Sequence, residues 1–120
     1  MAYALDRSRD AIFVQRLHAK TMARRLDWAR GEHDGRYHVK LGEFLVEIGE
    51  GAATLEDPEI LICDADGQAI EILTPDILAQ NDNSEVGPAR RQVFNETYEG
   101  ARRIALGVDQ VIDNLIVALV

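Results

Sequence analysis

Apolar residues recur with period two between positions 37 and 73, and nowhere else in this 120-residue chain. Residues that alternate in this way point to opposite faces of a sheet, so the stretch predicts β-strands. The apolar positions are odd up to Leu41 and mainly even after Gly42. Glycine readily adopts the positive φ of a tight turn, and this change of parity therefore predicts a first hairpin at Gly42.

A second hairpin is expected a few residues after position 60. The apolar run 60–63 is followed by Asp-Ala-Asp-Gly at 64–67, and acidic residues before a glycine are typical of hairpin turns. Alternation resumes at 69–73, which predicts a fourth strand. The predicted fold class is therefore α+β, with a four-stranded antiparallel sheet (two hairpins in series) over residues 36–73, packed by long N-terminal and C-terminal helices.

The segments on either side of the sheet predict helices. Residues 6–27 contain no Gly or Pro, and their apolar residues form two stripes, so the N-terminal helix needs two neighbours. A Thr-Pro pair at 74–75 predicts a short helix over residues 75–80, and Pro88 suits the first turn of a long helix over residues 88–118. A chain of this length forms one domain of ordinary size.

The C-terminal helix is too long for the sheet beside it. About 30 helical residues extend roughly 45 Å, whereas a five-residue strand spans only about 17 Å. Residues 115–120 are apolar on every side, and their exposure would forfeit several kcal/mol of burial. We therefore expect a homodimer through this helix; the alternative is that the N-terminal helix lies alongside it and completes a monomer's core. The expected interface residues follow a widened heptad pattern and are Ile104, Val108, Val111, Ile112, Leu115, Ile116 and Leu119.

Charge is distributed unevenly along the chain, whose formal net charge is −8. Residues 41–87 contain no Lys or Arg but 12 acidic residues, while residues 1–40 hold nine basic and five acidic residues. The sheet should therefore carry an acidic surface, which disfavours nucleic acid there and favours a basic protein partner. The acidic residues of this segment are Glu43, Glu47, Glu50, Glu56, Asp57, Glu59, Asp64, Asp66, Glu71, Asp76, Asp82 and Glu85.

One basic stripe gives an alternative function. Arg9, Arg16, Lys20 and Arg24 fall on one side of the first predicted helix, over about 20 Å at the helical rise. Such a stripe predicts contacts with phosphates in a nucleic-acid-linked regulatory protein. The competing interpretation is a solvated face, or a face that meets the acidic surface of the same chain or of a second copy.

The sequence predicts no catalytic, cofactor-binding or metal site. His33 and His38 lie close together, but neither a second pair nor a Cys ligand accompanies them, so a polar loop is the favoured interpretation. Cys63 lacks the flanking signature of a reactive thiol and is expected to be a small buried hydrophobe. A carboxylate pair such as Glu47 and Glu71 is expected by chance among 12 acids, and a solvated strand face explains it. A small hydrolase is thus ranked last, as the second alternative function.

In its size, low pI and mixture of helices and sheet, the chain resembles the class I chaperones of type III secretion, which are acidic dimers that hold an unfolded effector segment. That family has a helix between its third and fourth strands, where this sequence has only the turn at 64–67. The predicted function is a non-enzymatic protein-interaction or assembly module. We expect a cytoplasmic protein without a membrane span, because charged residues at positions 6, 7 and 9 precede any apolar run.

Overall fold

The computed structural model describes residues 7–50, 58–78 and 87–120, and the side chains of residues 87 and 88 are not among them. The predicted α+β class is confirmed: helices stand at both ends of an antiparallel sheet whose strands lie side by side in chain order. In chain order the elements are α1 (Ser8–Met22), β1 (Ala29–Arg30), β2 (Arg36–Leu41), β3 (Phe44–Glu50), β4 (Pro58–Cys63), β5 (Ala69–Leu73), α2 (Pro75–Leu78), α3 (Gly87–Leu106) and α4 (Val108–Ala118).

Within the described residues the sheet has five strands, not the four that the sequence predicts. The additional strand, β1, has two residues: Ala29 pairs with His38 and Arg30 pairs with Tyr37. Both β1 residues are exposed, so the strand carries no apolar alternation. A two-residue strand is too short to give a period-two signal.

Both predicted hairpin turns are present. Gly42 has φ +63° and, with Glu43, connects the paired residues Leu41 and Phe44. In the second turn Gly67 has φ +84°, and the Asp64 carboxylate accepts hydrogen bonds from the backbone N–H groups of Asp66 and Gln68 at 2.9 Å each. These residues form the predicted turn and not a helix.

Helix α3 lies across one face of the sheet, which we call the inner face. The row Tyr37, Ile48, Ile60 and Leu73 crosses β2 to β5 on this face, and all four side chains are buried. α3 packs against β1 to β4 and contributes Phe94, whose side chain is completely buried. The core therefore lies between α3 and the sheet.

Helix α1 packs along α3 through small side chains. Thr21, Thr97 and Ala101 are completely buried. A Cβ atom added to Gly100 would lie 2.5 Å from Met22 Cε and 2.8 Å from Thr21 Cγ2, so the two helices approach closely at this glycine. The alternative in which the N-terminal helix lies alongside the C-terminal one thus describes α3, but it does not extend to α4.

Helix α1 is shorter than the predicted 6–27 and has one buried stripe instead of two. It ends at Met22, and Arg24 follows with φ +60°, a conformation that typically terminates helices. The early end lets the chain reverse so that Trp28 is buried and donates a hydrogen bond from Nε1 to Thr21 Oγ1 at 3.0 Å. The sequence gives two apolar sets here: Ile12, Ala19, Ala23 and Leu26, and then Phe13, Val14 and Leu17. Val14 and Leu17 of the second set are buried and Phe13 is half-buried, whereas in the first set only Leu26 is half-buried and the other three residues are exposed.

The predicted long helix over 88–118 is interrupted at Gly107. α3 ends at Leu106 and α4 begins at Val108, because Gly107 adopts a left-handed conformation with φ +62°. Glycine tolerates this conformation at no steric cost, whereas other residues do so rarely. The short predicted helix begins at Pro75 as expected, and its predicted last residues, 79–80, lie outside the described residues.

A carboxylate between α1 and α3 makes the free energy of unfolding depend on pH in the acid range. Glu96 accepts hydrogen bonds from Gln92 Nε2 at 2.9 Å and from His18 Nε2 at 2.8 Å. The Gln92 bond, and then the His18 bond, hold the pKa of Glu96 below its ordinary value of 4.5. A lowered pKa means that the ionised group stabilises the fold above pH 4.5, and that this contribution is lost as the pH falls through the folded-state pKa.

We predict that Glu96→Gln flattens the acid limb of the stability curve. Chemical denaturation at a fixed protein concentration, repeated from about pH 5 to about pH 3, measures the difference in free energy of unfolding between wild type and variant. The difference should shrink as the pH falls across this range. A difference that stays constant would contradict the lowered pKa of Glu96.

Candidate functional site

Helix α4 exposes an apolar surface that the rest of the described chain does not cover. No residue of α4 is buried, and its packing is with the end of α3. The exposed large apolar side chains, called here the α4 surface, are Val111, Ile112, Leu115, Ile116, Val117, Leu119 and Val120, with exposed fractions from 44 % to 105 %. Folded domains rarely expose an apolar patch of this extent, and such a patch typically marks an interaction site.

Five of the seven predicted interface residues belong to the α4 surface. They are Val111, Ile112, Leu115, Ile116 and Leu119. The other two lie nearer the body of the molecule: Ile104 packs against the chain's own core, and Val108 is half-buried. The break at Gly107 lies between Ile104, on α3, and the other six residues, which follow it in the chain.

The first turn of α4 is fixed to the body by ion pairs. Asp109 accepts a hydrogen bond from Arg103 Nη2 at 2.8 Å and one from Arg24 Nε at 3.4 Å. The Arg103 bond is the main reason that the pKa of Asp109 lies below its ordinary value of 3.8, and the charge of Arg24 adds to it. These contacts hold the base of α4 beside the segment that follows α1.

A groove with an apolar floor and basic margins lies along α1. Its volume is 440 Å³. The residues that line it, called here the α1 groove, are Phe13, Leu17, Leu26 and Leu41 on the floor and Arg16, Lys20 and Arg25 at the margins. Leu17 is buried, the other floor residues are half-buried and the three basic residues are exposed. The groove can therefore accept a segment that combines apolar and acidic side chains.

The predicted basic stripe is only partly continuous. Arg9, Arg16 and Lys20 lie on α1 and are exposed, as the stripe requires. Arg24 lies beyond the end of the helix and pairs with Asp109. Two members of the stripe, Arg16 and Lys20, are thus placed beside the apolar floor of the α1 groove.

An arginine on the sheet is paired with acidic residues of its own chain, a contact that the sequence does not predict. On the face opposite α3, called here the outer face, Arg36 contacts Glu47 through Nε at 3.3 Å and Glu59 through Nη2 at 3.3 Å, and it donates from Nη1 to the Glu50 carbonyl at 2.9 Å. The three side chains of the ion pairs are only 16–19 % exposed. Part of the predicted acidic surface is therefore neutralised within the chain.

Gly49 leaves room for the Arg36 side chain to pass over strand β3 and reach Glu59. Arg36 pairs with Gly49 on β3, and Gly49 pairs with Glu59 on β4, so the three residues form one row across the sheet. A Cβ atom at Gly49 would lie 2.7 Å from Arg36 Cγ, which shows that the arginine side chain lies directly over the glycine. Gly49 belongs to strand β3. Glycine has no apolar side chain, so the alternation in the sequence does not extend to this position.

We predict that Arg36→Met lowers the free energy of unfolding by about 1–2 kcal/mol, because it leaves two half-buried carboxylates without their cation. The exposed fractions keep the value below that of a fully buried pair. Arg30→Met, at an exposed position of β1, is the control and should change the free energy by less than about 0.5 kcal/mol. Addition of Glu47→Gln and Glu59→Gln to Arg36→Met should restore part of the loss. Equal effects of Arg36→Met and Arg30→Met would contradict the ion-pair network.

The other candidate chemical groups are separated or unreactive. Glu47 shares an outer-face row with Leu61 and Ile72, and the next residue along β5 from Ile72 is Glu71, so the two glutamates point to opposite faces. Cys63 is buried, and burial together with the charges of Glu47 and Asp64 raises the pKa of its thiol. Such a thiol is not activated as a nucleophile.

His33 and His38 do not form a ligand set with their neighbours in the described chain. His33 is exposed in the connection, and His38 is half-buried on the outer face of β2. Within residues 7–50, 58–78 and 87–120, no three His, Cys, Asp or Glu side chains lie together in a group that could hold a metal ion. Of the helices in these ranges, none combines the length and hydropathy needed to cross a membrane.

Comparison of this chain with models of protein families, with curated proteins and with solved structures finds no match.

Proposed function

We propose that this chain is a non-enzymatic protein-interaction module that forms a homodimer through the α4 surface. The observation that supports it is the exposure of seven large apolar side chains on and just after one 11-residue helix. Full burial of a Val, Leu or Ile side chain contributes about 1.5–3 kcal/mol, so cover over even half of this surface would contribute several kcal/mol. A second copy supplies the same surface at the same concentration, and symmetric self-association is the commonest form of oligomer.

The helix spacing gives the α4 surface a defined direction. At 100° per residue, the side chains of 108, 111, 112, 115, 116, 118 and 119 occupy one arc of about 160°. Asp109, Asp113 and Val117 lie outside this arc, with the two acids along one edge. A helix with this pattern buries its apolar arc against one neighbour and keeps the acidic edge at the margin of the contact.

The double variant Ile116→Asp with Leu119→Asp tests the homodimer. Neither residue touches the core, so the variant should remain folded, with a far-UV circular dichroism spectrum and melting behaviour close to those of a wild-type monomer. Sedimentation equilibrium should give the mass of one chain for this variant and of two chains for wild type.

The matched control adds two acids on the opposite side of the same helix. Gln110→Asp with Asn114→Asp changes the charge equally but lies outside the apolar arc and the α4 surface, so it should keep the dimer. An unfolded Ile116→Asp with Leu119→Asp variant would mean that these residues belong to the core. Loss of the dimer in both variants would assign the effect to charge and would contradict a contact through the apolar arc.

The acidic outer surface supports a basic protein as a further partner of the module. Glu47 and Glu59 are engaged by Arg36, whereas Glu43, Glu50 and Asp66 are exposed. Glu43 and Asp66 belong to the two hairpin turns and line one 610 Å³ cleft between them. Co-purification from the native cell, followed by mass spectrometry, should recover a basic protein with the wild-type chain. Glu43→Lys with Asp66→Lys should reduce that recovery, and unchanged recovery would contradict a contact at this cleft.

A further inference from the structure

The α1 groove and the α4 surface have complementary character. The groove offers an apolar floor beside Arg16, Lys20 and Arg25. Residues 108–118 carry two acids, Asp109 and Asp113, and no basic residue. An apolar helix with an acidic edge therefore exists in the same chain as an apolar groove with basic margins.

The contact between two copies of α4 alone is less favourable in charge. Two paired α4 helices would bring together four carboxylates and no cation of their own. Asp109 is already bound by Arg103 and Arg24, so Asp113, one turn further along, is the acid that a second surface can engage. Like charges that face each other across an interface oppose association, and the basic margin of the groove relieves this repulsion.

The two surfaces also agree in length. The apolar residues from Val111 to Leu119 span about 12 Å along the helix axis, and the α1 residues from Phe13 to Lys20 span about 10.5 Å. Two to three helical turns of one element can therefore lie along the other. On α4, Val111 and Leu115 are four residues apart and both exposed, so they form a ridge that can pack into such a groove.

We propose that α4 of one copy docks in the α1 groove of a second copy, with Asp113 beside Arg16 and Lys20, and that the exchange is reciprocal. This proposal rests on the proposed homodimer and specifies the surface that receives α4. Reciprocal exchange gives a closed two-fold assembly in which both grooves and both α4 surfaces are covered. The left-handed Gly107 directs α4 away from its own body and makes it available to the second copy.

Dimer dissociation constants from sedimentation equilibrium test the receiving surface. Arg16→Glu with Lys20→Glu should weaken the dimer by roughly tenfold or more, because two cations beside Asp113 become anions. The matched control is Arg9→Glu with Arg30→Glu, which makes the same charge change at exposed positions outside the groove and should weaken the dimer by less than about threefold. Addition of Asp113→Lys to the first pair should tighten the dimer again, although Asp113→Lys alone weakens it.

The outcomes separate this proposal from the one on which it rests. If Arg16→Glu with Lys20→Glu leaves the dimer unchanged while Ile116→Asp with Leu119→Asp abolishes it, the groove is not the receiving surface and the homodimer through α4 stands. A wild-type chain that remains monomeric overturns both proposals. A third outcome concerns nucleic acid. If wild type is retained on a DNA column at low salt, and Arg16→Glu with Lys20→Glu abolishes this retention without affecting the dimer, the basic margin of the groove binds nucleic acid and the docking of α4 is overturned.

Discussion

Phe94→Ala should lower the free energy of unfolding by about 3–5 kcal/mol, the largest effect that we expect from any single truncation. Phe94 is the largest of the completely buried side chains and lies where α3 crosses the sheet. Its removal leaves a cavity between packed elements that cannot collapse freely. For a domain whose total stability is about 5–15 kcal/mol, such a loss brings the midpoint of urea unfolding down sharply.

Phe44→Ala is the matched control for this truncation. It removes the same atoms from the β2–β3 hairpin, where Phe44 is 47 % exposed, and it should cost no more than about 1 kcal/mol. Both variants must be measured at one protein concentration, because self-association stabilises the folded chain by mass action. Equal losses for Phe94→Ala and Phe44→Ala would contradict the position of the core between α3 and the sheet.

Gly100→Val should lower the free energy of unfolding by about 2–3 kcal/mol, the second-largest effect. A side chain at this position meets Thr21 Cγ2 and Met22 Cε at distances that are too short for real contacts. Met22 is exposed and its end can move, but Thr21 is completely buried and cannot. The helices α1 and α3 must then separate, which is the usual cost of overpacking. Asn95→Val, at an exposed position of α3, controls for the introduction of a valine into this helix and should change the free energy of unfolding by under about 1 kcal/mol.

A double-mutant cycle isolates the contact at Gly100. Thr21→Ser removes the Cγ2 atom and keeps the hydroxyl oxygen that accepts the hydrogen bond from Trp28. Gly100→Ala should therefore cost less in the Thr21→Ser background than in wild type, with a coupling energy of at least about 0.5 kcal/mol. Additive effects would mean that the two helices do not approach closely at this position.

The parts of the fold that the sequence predicts are those with a repeated local signal. The parity change at Gly42 and the acidic turn at 64–67 predict both hairpins, since the side-chain period of a strand is fixed at two. The heptad spacing predicts the apolar arc of α4. In each case neighbouring residues carry enough information to give the structure, so tertiary contacts add little to the prediction.

The parts of the fold that differ from the sequence prediction depend on contacts between distant residues or on the backbone conformation of single residues. The end of α1 at Met22 depends on Arg24 in a left-handed conformation and on the return of Trp28 to Thr21. The break at Gly107 is one φ angle, and glycines within predicted helices do not reveal which of them will adopt it: Gly100 remains helical. Arg36 reaches Glu59 only because Gly49 lies between them in the sheet.

The same division holds for the candidate site. The exposed residues of α4 follow from periodicity and length, which are local. The α1 groove is assembled from α1, the connection after it and β2, so its floor residues are not adjacent in the sequence. The basic stripe gives a partial signal for it, because Arg16 and Lys20 are recognisable while Leu26 and Leu41 are not.

Amide hydrogen exchange of α4, recorded over a series of protein concentrations, tests most directly whether a second copy covers this helix. The account predicts that protection of residues 108–118 rises with concentration, in parallel with the change from one-chain to two-chain mass, while protection of α3 around Phe94 is already high at the lowest concentration. Strong protection of α4 in the dilute monomer, unchanged as the concentration rises, would contradict the account.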